Sequence, residues 1–382
     1  MIILEGPYVS DHLLEYLEKE QIPVLKNQFA TNACQHYHLF LLEEEAFIQS
    51  YGEKPNLYLT SENALDWVYE KLSHSPIVSQ LEWIKHKGKF RELIKGLYPD
   101  FFFETLSFEN LRSYDIQKLP FPVVLKPAVG FFSVGVYVIK DETHWYQAID
   151  QIEEQMRQKK ATFPTRVVDL QEFVIESYIE GTEYAIDAYY NQEGNPVILN
   201  IFTHRFASKE DVSDRIYYTS KEIIETYKAP FESFLKQMNE KLQLVDFPMH
   251  VEIRVSSKEI IPIEVNPMRF AGLSCTDMAY YAYGINTVDY YLNHKVPDFK
   301  TILREKEHKL FSLIVLDKKQ PDLSSKQFNY EKLIGDFNKV IKLRPVDQED
   351  LNIFGFVFVE TEEGKEAELD HILYSDLMEY MK

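Results

Sequence analysis

"HVEIRVSSKEIIPIEVN", residues 250–266, alternates apolar and polar residues on either side of a serine-containing turn, the pattern of an antiparallel β-hairpin with one face in a core. Val251, Ile253 and Val255 share one face of the first strand, and Ile261, Ile263 and Val265 are expected on the matching face of the second. Directly paired residues share a face, so the register that buries both apolar sets places Glu252 opposite Glu264 and His250 opposite Asn266. Two carboxylates would then lie ~5 Å apart. Opposed like charges are destabilising unless a proton, a cationic side chain or a metal ion intervenes. A hard divalent cation fits the oxygen set of Glu252, Glu264 and Asn266, with magnesium expected and manganese as the alternative. On these strands alone, the polar side of an ordinary amphipathic hairpin fits equally well.

The rest of the chain narrows the choice. At 382 residues with 45% hydrophobic and 14% aromatic content, the protein can bury a large core and form two or three domains. A net charge of −20 without a basic cluster excludes a nucleic-acid backbone as partner. Cys34 and Cys275 are too few for a disulfide framework or zinc site, and no run of apolar residues is long enough to span a membrane. A cytoplasmic location is expected, with no membrane partner.

Residues 1–84 alternate strand-like and helix-like segments, which predicts an N-terminal α/β domain with a parallel sheet. "EWIKHKGKFRELIKGL" reads as one charged helix opening a second unit over 85–300, within which a subdomain spans about 119–175. Residues 301–382 change texture and read as a C-terminal α/β extension. "CQHYH" places His36 and His38 on one face of a predicted strand, where a structural role outweighs a metal pair lacking a third ligand. Cys275 reads as a small buried residue.

In "FPVVLKPAVGFFSVGVYVI", Gly130 and Gly135 have the glycine spacing of a P-loop, but Val136 and Tyr137 stand where that motif needs Lys and Ser or Thr. The nearby cation is instead Lys126, upstream on the strand. Further on, "VIESYIEGTEYAID" offers an apolar backbone edge able to read a purine, followed by a carboxylate, Glu183, able to accept ribose hydroxyls.

In this order, a lysine strand, a glycine loop, a hinge and a paired-acid hairpin, the chain resembles the ATP-grasp superfamily over residues 85–290. The resemblance implies two α/β subdomains gripping ATP and magnesium, and phosphorylation of a carboxylate to an acyl phosphate that an amine then attacks. It implies phosphate binding by Lys126 and by the loop residues Gly130, Ser133 and Gly135, adenine binding by Glu176, Ser177, Tyr178 and Ile179, and ribose binding by Glu183. Glu252, Glu264 and Asn266 would be the metal ligands. Among Lys85, Lys87 and Lys89, the family's spacing of a lysine four residues before an arginine selects Lys87 with Arg91. "EVNPMRFAGL" resembles the E-x-N-x-R-F-A-G run of amino-acid ligases in this superfamily, except that Met268 holds the usual arginine position and Arg269 follows it. Arg269 and Lys126 are the candidate catalytic residues. Phe131 and Phe132 replace small residues usual in the loop.

His204, Arg205 and Arg215 in "THRFASKEDVSDRIYYTS" are candidate substrate contacts, joined by His250 and Arg254 on the polar face of the hairpin. The expected activity is an ATP-dependent, ADP-forming ligase joining a small carboxylate to an amine, such as an amino acid or small peptide. A carboxylase-like acceptor and a non-catalytic ATP-binding module are the alternatives, and a homodimer is the assembly considered.

Overall fold

The computed structural model describes residues 1–130, 135–158, 169–207, 215–318, 327–346 and 351–382, with the side chains of 155–158 and 169–170 excepted. It is a mixed α/β protein with a parallel-sheet N-terminal domain followed by two antiparallel sheets. Among the described residues, no helix is long and apolar enough to cross a membrane.

The N-terminal sheet has four short parallel strands, β1 (Ile2–Ile3), β2 (Val24–Leu25), β3 (Leu41–Leu42) and β4 (Tyr58–Leu59), in the order β3-β2-β1-β4. The first crossover helix, Asp11–Glu20, starts where the Ser10 hydroxyl accepts the Leu13 N–H, and it buries Leu13, Leu14 and Leu17 on one face. His36 and His38 lie in the turn region between the helix Gln28–Ala33 and β3, not on a strand as the alternation predicted.

The expected single charged helix is two, Pro76–Lys85 and Lys87–Ile94, divided at His86. His86 takes an extended conformation, and its Nδ1 accepts the Lys89 N–H at 3.2 Å, so it ends one helix and caps the next. The break lets Lys85 reach Glu62 of the N-terminal domain while Lys87 reaches Glu264.

A second, antiparallel sheet comprises β5 (Phe103–Ser107), β6 (Val123–Val129), β7 (Tyr137–Ile139) and β8 (Asp169–Ser177), in the order β5-β8-β6-β7. It begins upstream of the expected boundary near Leu119, because β5 pairs with β8. The helix Glu142–Gln158 covers it, placing Trp145, Ala148, Ile149 and Ile152 against Val123, Leu125 and Phe173.

The central sheet is antiparallel and eight-stranded: β9 (Thr182–Tyr190), β10 (Pro196–His204), β11 (Ile216–Ser220), β12 (Phe247–Val255), β13 (Ile260–Pro267), β14 (Lys309–Asp317), β15 (Val340–Pro345) and β16 (Ile353–Glu362). Their order is β13-β12-β9-β10-β11-β14-β16-β15, so the segment read as a C-terminal extension continues the same sheet through β11 and β14. In the opening hairpin Glu252 pairs with Glu264 and His250 with Asn266. A bulge follows: Ile253 pairs with Pro262, which leaves Ile263 as the extra residue. Ile263 therefore lines the cavity described below instead of joining Val265 in the core.

Candidate active site

A cavity of about 450 Å³ lies between the β5-β8-β6-β7 sheet, called the lid below, and one face of the central sheet, within the range of small-molecule sites. On its floor the β12–β13 pairing holds Glu252 beside Glu264. Their repulsion is relieved in two ways: Lys87 Nζ stands 2.9 Å from Glu264 Oε2, and Asn266 Nδ2 donates to Glu252 Oε1 at 3.3 Å. Burial raises the Glu264 carboxyl, but the nearby charges of Lys87, Lys85 and Lys126 outweigh it and hold the group below the usual carboxylate range. Lys87 is also buried, which lowers it, yet Glu264 more than compensates and raises it. Its ammonium further donates to the Gly130 carbonyl at 2.8 Å, tying the lid to the floor.

The second cationic group is a buried triad. Glu176 accepts from Arg91 Nε at 2.7 Å and faces Lys126 Nζ at 2.6 Å, all three side chains being almost wholly inaccessible. Burial pushes Glu176 up, but Arg91 and Lys126 overcome it and hold its carboxyl at about 2. Lys126 is nevertheless lowered, because burial, Arg91 and Lys87 together outweigh its single acid. The two directions agree physically: two cations share one carboxylate, so the field at Lys126 is net positive and suited to an anion.

Ile179, Tyr178 and Glu183 line the cavity beside Val136 and Val138, two apolar lid side chains left largely exposed. Arg254 donates to Glu183 from Nε and Nη2, at 3.2 and 3.0 Å, and from Nη1 to the Ile179 carbonyl at 2.8 Å. Burial lowers Arg254, but Glu183 and Tyr178 raise it above its ordinary value. The turn before β9 needs glycine: Gly181 has φ +120, and a Cβ there would lie 2.3 Å from the Val255 carbonyl. That close approach seats the end of β12, and with it Arg254, against Glu183.

Met268, the residue in the family's arginine position, takes a left-handed φ of 59° and buries its side chain. The chain consequently turns Arg269 into the cavity, where Nη2 donates to Glu62 Oε1 at 3.0 Å. Glu62 also pairs with Lys85, and these two cations draw its carboxyl down against the opposing effect of burial. His250 lines the cavity as well, its Nδ1 2.7 Å from Asp187 Oδ1; Asp187 also accepts from the Ala271 N–H and the Thr276 hydroxyl.

The cavity thus gathers Lys87, Lys126, Gly130 and Glu176 with the acids Glu252 and Glu264, and His204 lines it too, 3.8 Å from Glu183. Other predicted residues stand apart. The Ser177 N–H is given to the Phe102 carbonyl, and neither Ser177 nor Gly135 lines the cavity. Ser133, with Phe131 and Phe132, lies outside the described residues, as does 208–214 of the polar stretch. Two candidate substrate contacts are corrected. Arg205 pairs with Asp370 at 2.6 Å, and buried Arg215 pairs with Asp317 and donates to the Ile372 and Ser375 carbonyls; both anchor the C-terminal segment away from the cavity.

Glu62 and Asp187 were missed by sequence reasoning. Asp187 had a signal, since it is a lone acid in the apolar run "YAIDAYY". Glu62 had none, because its partner Arg269 is remote in sequence.

A model of the ATP-grasp domain matches residues 119–277. Residues 119–277 carry an ATP-grasp domain. Solved structures extend the fold likeness over the whole length of the chain. L-amino acid ligase from Bacillus licheniformis superposes with a TM-score of 0.69 at 16% identity, covering 100% of this chain and 97% of the other. N5-carboxyaminoimidazole ribonucleotide synthetase from Thermotoga maritima gives 0.63 at 15%, covering 100% and 98%. Biotin carboxylase from Campylobacter jejuni gives 0.65 at 12%, covering 100% and 91%. These identities establish the fold alone. No curated protein sequence matches the chain significantly.

The ATP-grasp site chemistry fits a magnesium nucleotide. Two carboxylates and an amide form an all-oxygen donor set, with a lysine ammonium already drawn to one acid, and the adjoining field is positive. Among the described residues no group of three or more His, Cys, Asp or Glu is assembled, so the ion would rest on two protein acids and Asn266.

Proposed function

We propose that this ATP-grasp protein is an ADP-forming ligase that joins a small carboxylate to an amine, such as an amino acid, at the expense of ATP. The observation that carries the proposal is the opposed Glu252–Glu264 pair with Asn266, set in one cavity with Lys87, Lys126 and Arg269. Lys87 and Asn266 offset much of the cost of opposing two acids in a half-buried site, and a divalent cation held between them would add to that.

In this reading the apolar faces of Val136, Val138 and Ile179 enclose the adenine, and Glu183, oriented by Arg254, accepts ribose hydroxyls. Lys87 and Lys126 hold the phosphates. When bound by Glu252, Glu264 and Asn266, magnesium or manganese offsets polyphosphate charge. A carboxylate oxygen of the substrate takes the terminal phosphoryl group, ADP leaves, and the acyl phosphate is attacked by the amine nitrogen with loss of phosphate. Arg269 lies where it can neutralise charge on the transferring oxygens, its guanidinium oriented by Glu62. No side chain needs to become a covalent nucleophile, so catalysis is electrostatic and positional.

The test is ADP and phosphate release from ATP and magnesium against panels of amino acids, with bicarbonate as a separate arm. Release that requires both an acid and an amine, with the joined product seen by mass spectrometry, is expected. Turnover driven by bicarbonate alone, or nucleotide binding without substrate-dependent turnover, would overturn the reading.

A further inference from the structure

The cavity has two chemically different halves, and the acids, lysines and arginines assigned above to metal, phosphate and ribose all stand in one. The polar half is built on β13, β12 and β9, where Glu264, Glu252, Arg254 and Glu183 stand on one face. On β10 and beyond, the same face changes character. Glu252 pairs with Ala185, which pairs with Phe202; His204 pairs with Tyr217, and Val315 follows on β14. Phe206 stacks on His204 with ring centroids 5.1 Å apart and planes 5° from parallel, while Leu273 arrives from the loop after Arg269.

Phe202, His204, Phe206, Tyr217, Leu273 and Val315 all line the cavity. Tyr217, Leu273 and Val315 back onto the apolar cluster around Phe202 and Phe356 yet keep part of their surface toward the open space. Apolar surface left bare in an enclosed concavity, instead of being covered by the chain, is the hallmark of a ligand subsite. Among the described residues, the titratable groups lining this half are His204, 3.8 Å from Glu183, and the Tyr217 hydroxyl, and neither a lysine, an arginine nor an acid stands in it. Among the described residues, every lysine and arginine lining the cavity is committed to a carboxylate: Lys87 to Glu264, Lys126 to Glu176, Arg254 to Glu183 and Arg269 to Glu62. The acids lie in the polar half.

We propose that the half formed by Phe202, His204, Phe206, Tyr217, Leu273 and Val315 receives the side chain of an amino-acid substrate, and that this side chain is apolar or aromatic and uncharged. The proposal rests on the ligase reading for its choice of an amino acid.

Calorimetric titration of the full chain, with ADP and magnesium present, tests it with L-phenylalanine, L-leucine, L-glutamate and L-lysine. Burial of the apolar side chain predicts that phenylalanine or leucine binds at least about tenfold tighter than either charged amino acid. Val315→Leu keeps the wall apolar but narrows it, so phenylalanine should lose about tenfold in affinity while alanine loses little. Binding of glutamate or lysine as tightly as leucine, binding of none of the four, or an unchanged ranking in Val315→Leu would overturn the proposal. Turnover with a charged amino acid would overturn it while leaving the ligase reading intact. Tight binding of an apolar amino acid without turnover would support this subsite and count against the ligase reading.

Discussion

At the scale of single residues, the opposed acids are held together by one cation and one amide that the sequence shows only in part. Glu264 is paired with Lys87 and Glu252 is met by Asn266, so the repulsion expected from the hairpin register is already relieved in the protein itself. Replacing Glu264 with Gln therefore does more than remove one like charge: it strips a buried lysine of its partner. Glu264→Gln should lower the stability of the metal-free protein by about 1–3 kcal/mol, measured by urea denaturation, and reduce magnesium-dependent ADP formation by at least ~100-fold. Full activity in this variant would remove the metal assignment. Lys126→Ala should likewise cost both stability and nucleotide affinity, since it leaves Glu176 to Arg91 alone; unchanged ATP binding by calorimetry would contradict a phosphate role. The acids were legible because a period of two fixes which side chains share a face. Arg205 and Arg215 were not, because the carboxylates that claim them, Asp370 and Asp317, come from segments whose approach no local pattern encodes.

At the scale of elements, the sequence showed most strands and missed two irregularities, each of which positions the site. The break at His86 divides an apparently continuous helical pattern and sends Lys85 and Lys87 to different acids; propensity alone gives no reason for an extended histidine there. The bulge at Ile263 shifts the hairpin by one residue, which period-two counting cannot anticipate, and turns an expected core side chain toward the cavity. The turn at Gly181 was marked by its glycine, and the structure supplies the reason: a side chain would meet the Val255 carbonyl at 2.3 Å in a backbone conformation that L residues avoid. Gly181→Ala should destabilise the protein by about 1–3 kcal/mol. By displacing β12 from β9 it should also weaken the Arg254–Glu183 contact and lower ATP affinity several-fold. Thermal melts and nucleotide titration check the two effects together; a variant with wild-type melting and wild-type affinity would show that the close approach is dispensable.

At the scale of the whole molecule, stability toward acid is decided by a competition between surface and interior. The chain carries a net charge of −20, so protonating exposed carboxylates first relieves self-repulsion and favours the folded state. The buried acids act in the opposite sense. Glu62, Glu176 and Glu264 are all held below the ordinary carboxylate value, and for Glu176 the folded group lies at about 2 against 4.5. A depressed acid contributes its stabilisation in full above its unfolded value and loses it as the pH falls toward its folded value. For Glu176 the window runs from 4.5 down to about 2, and the stabilisation at stake is on the order of 3 kcal/mol. The interior wins because its charges are screened far less than those at the surface. Urea midpoints should thus hold or rise slightly as the pH drops from 7 to 5, then fall steeply below 4.5. Glu176→Gln separates the two contributions: it leaves Arg91 and Lys126 without their acid, costing about 3–5 kcal/mol at pH 7, and flattens the decline below pH 4.5. If the variant retained the wild-type slope in that range, the acid limb would belong to surface charge and not to the buried Arg91–Glu176–Lys126 triad.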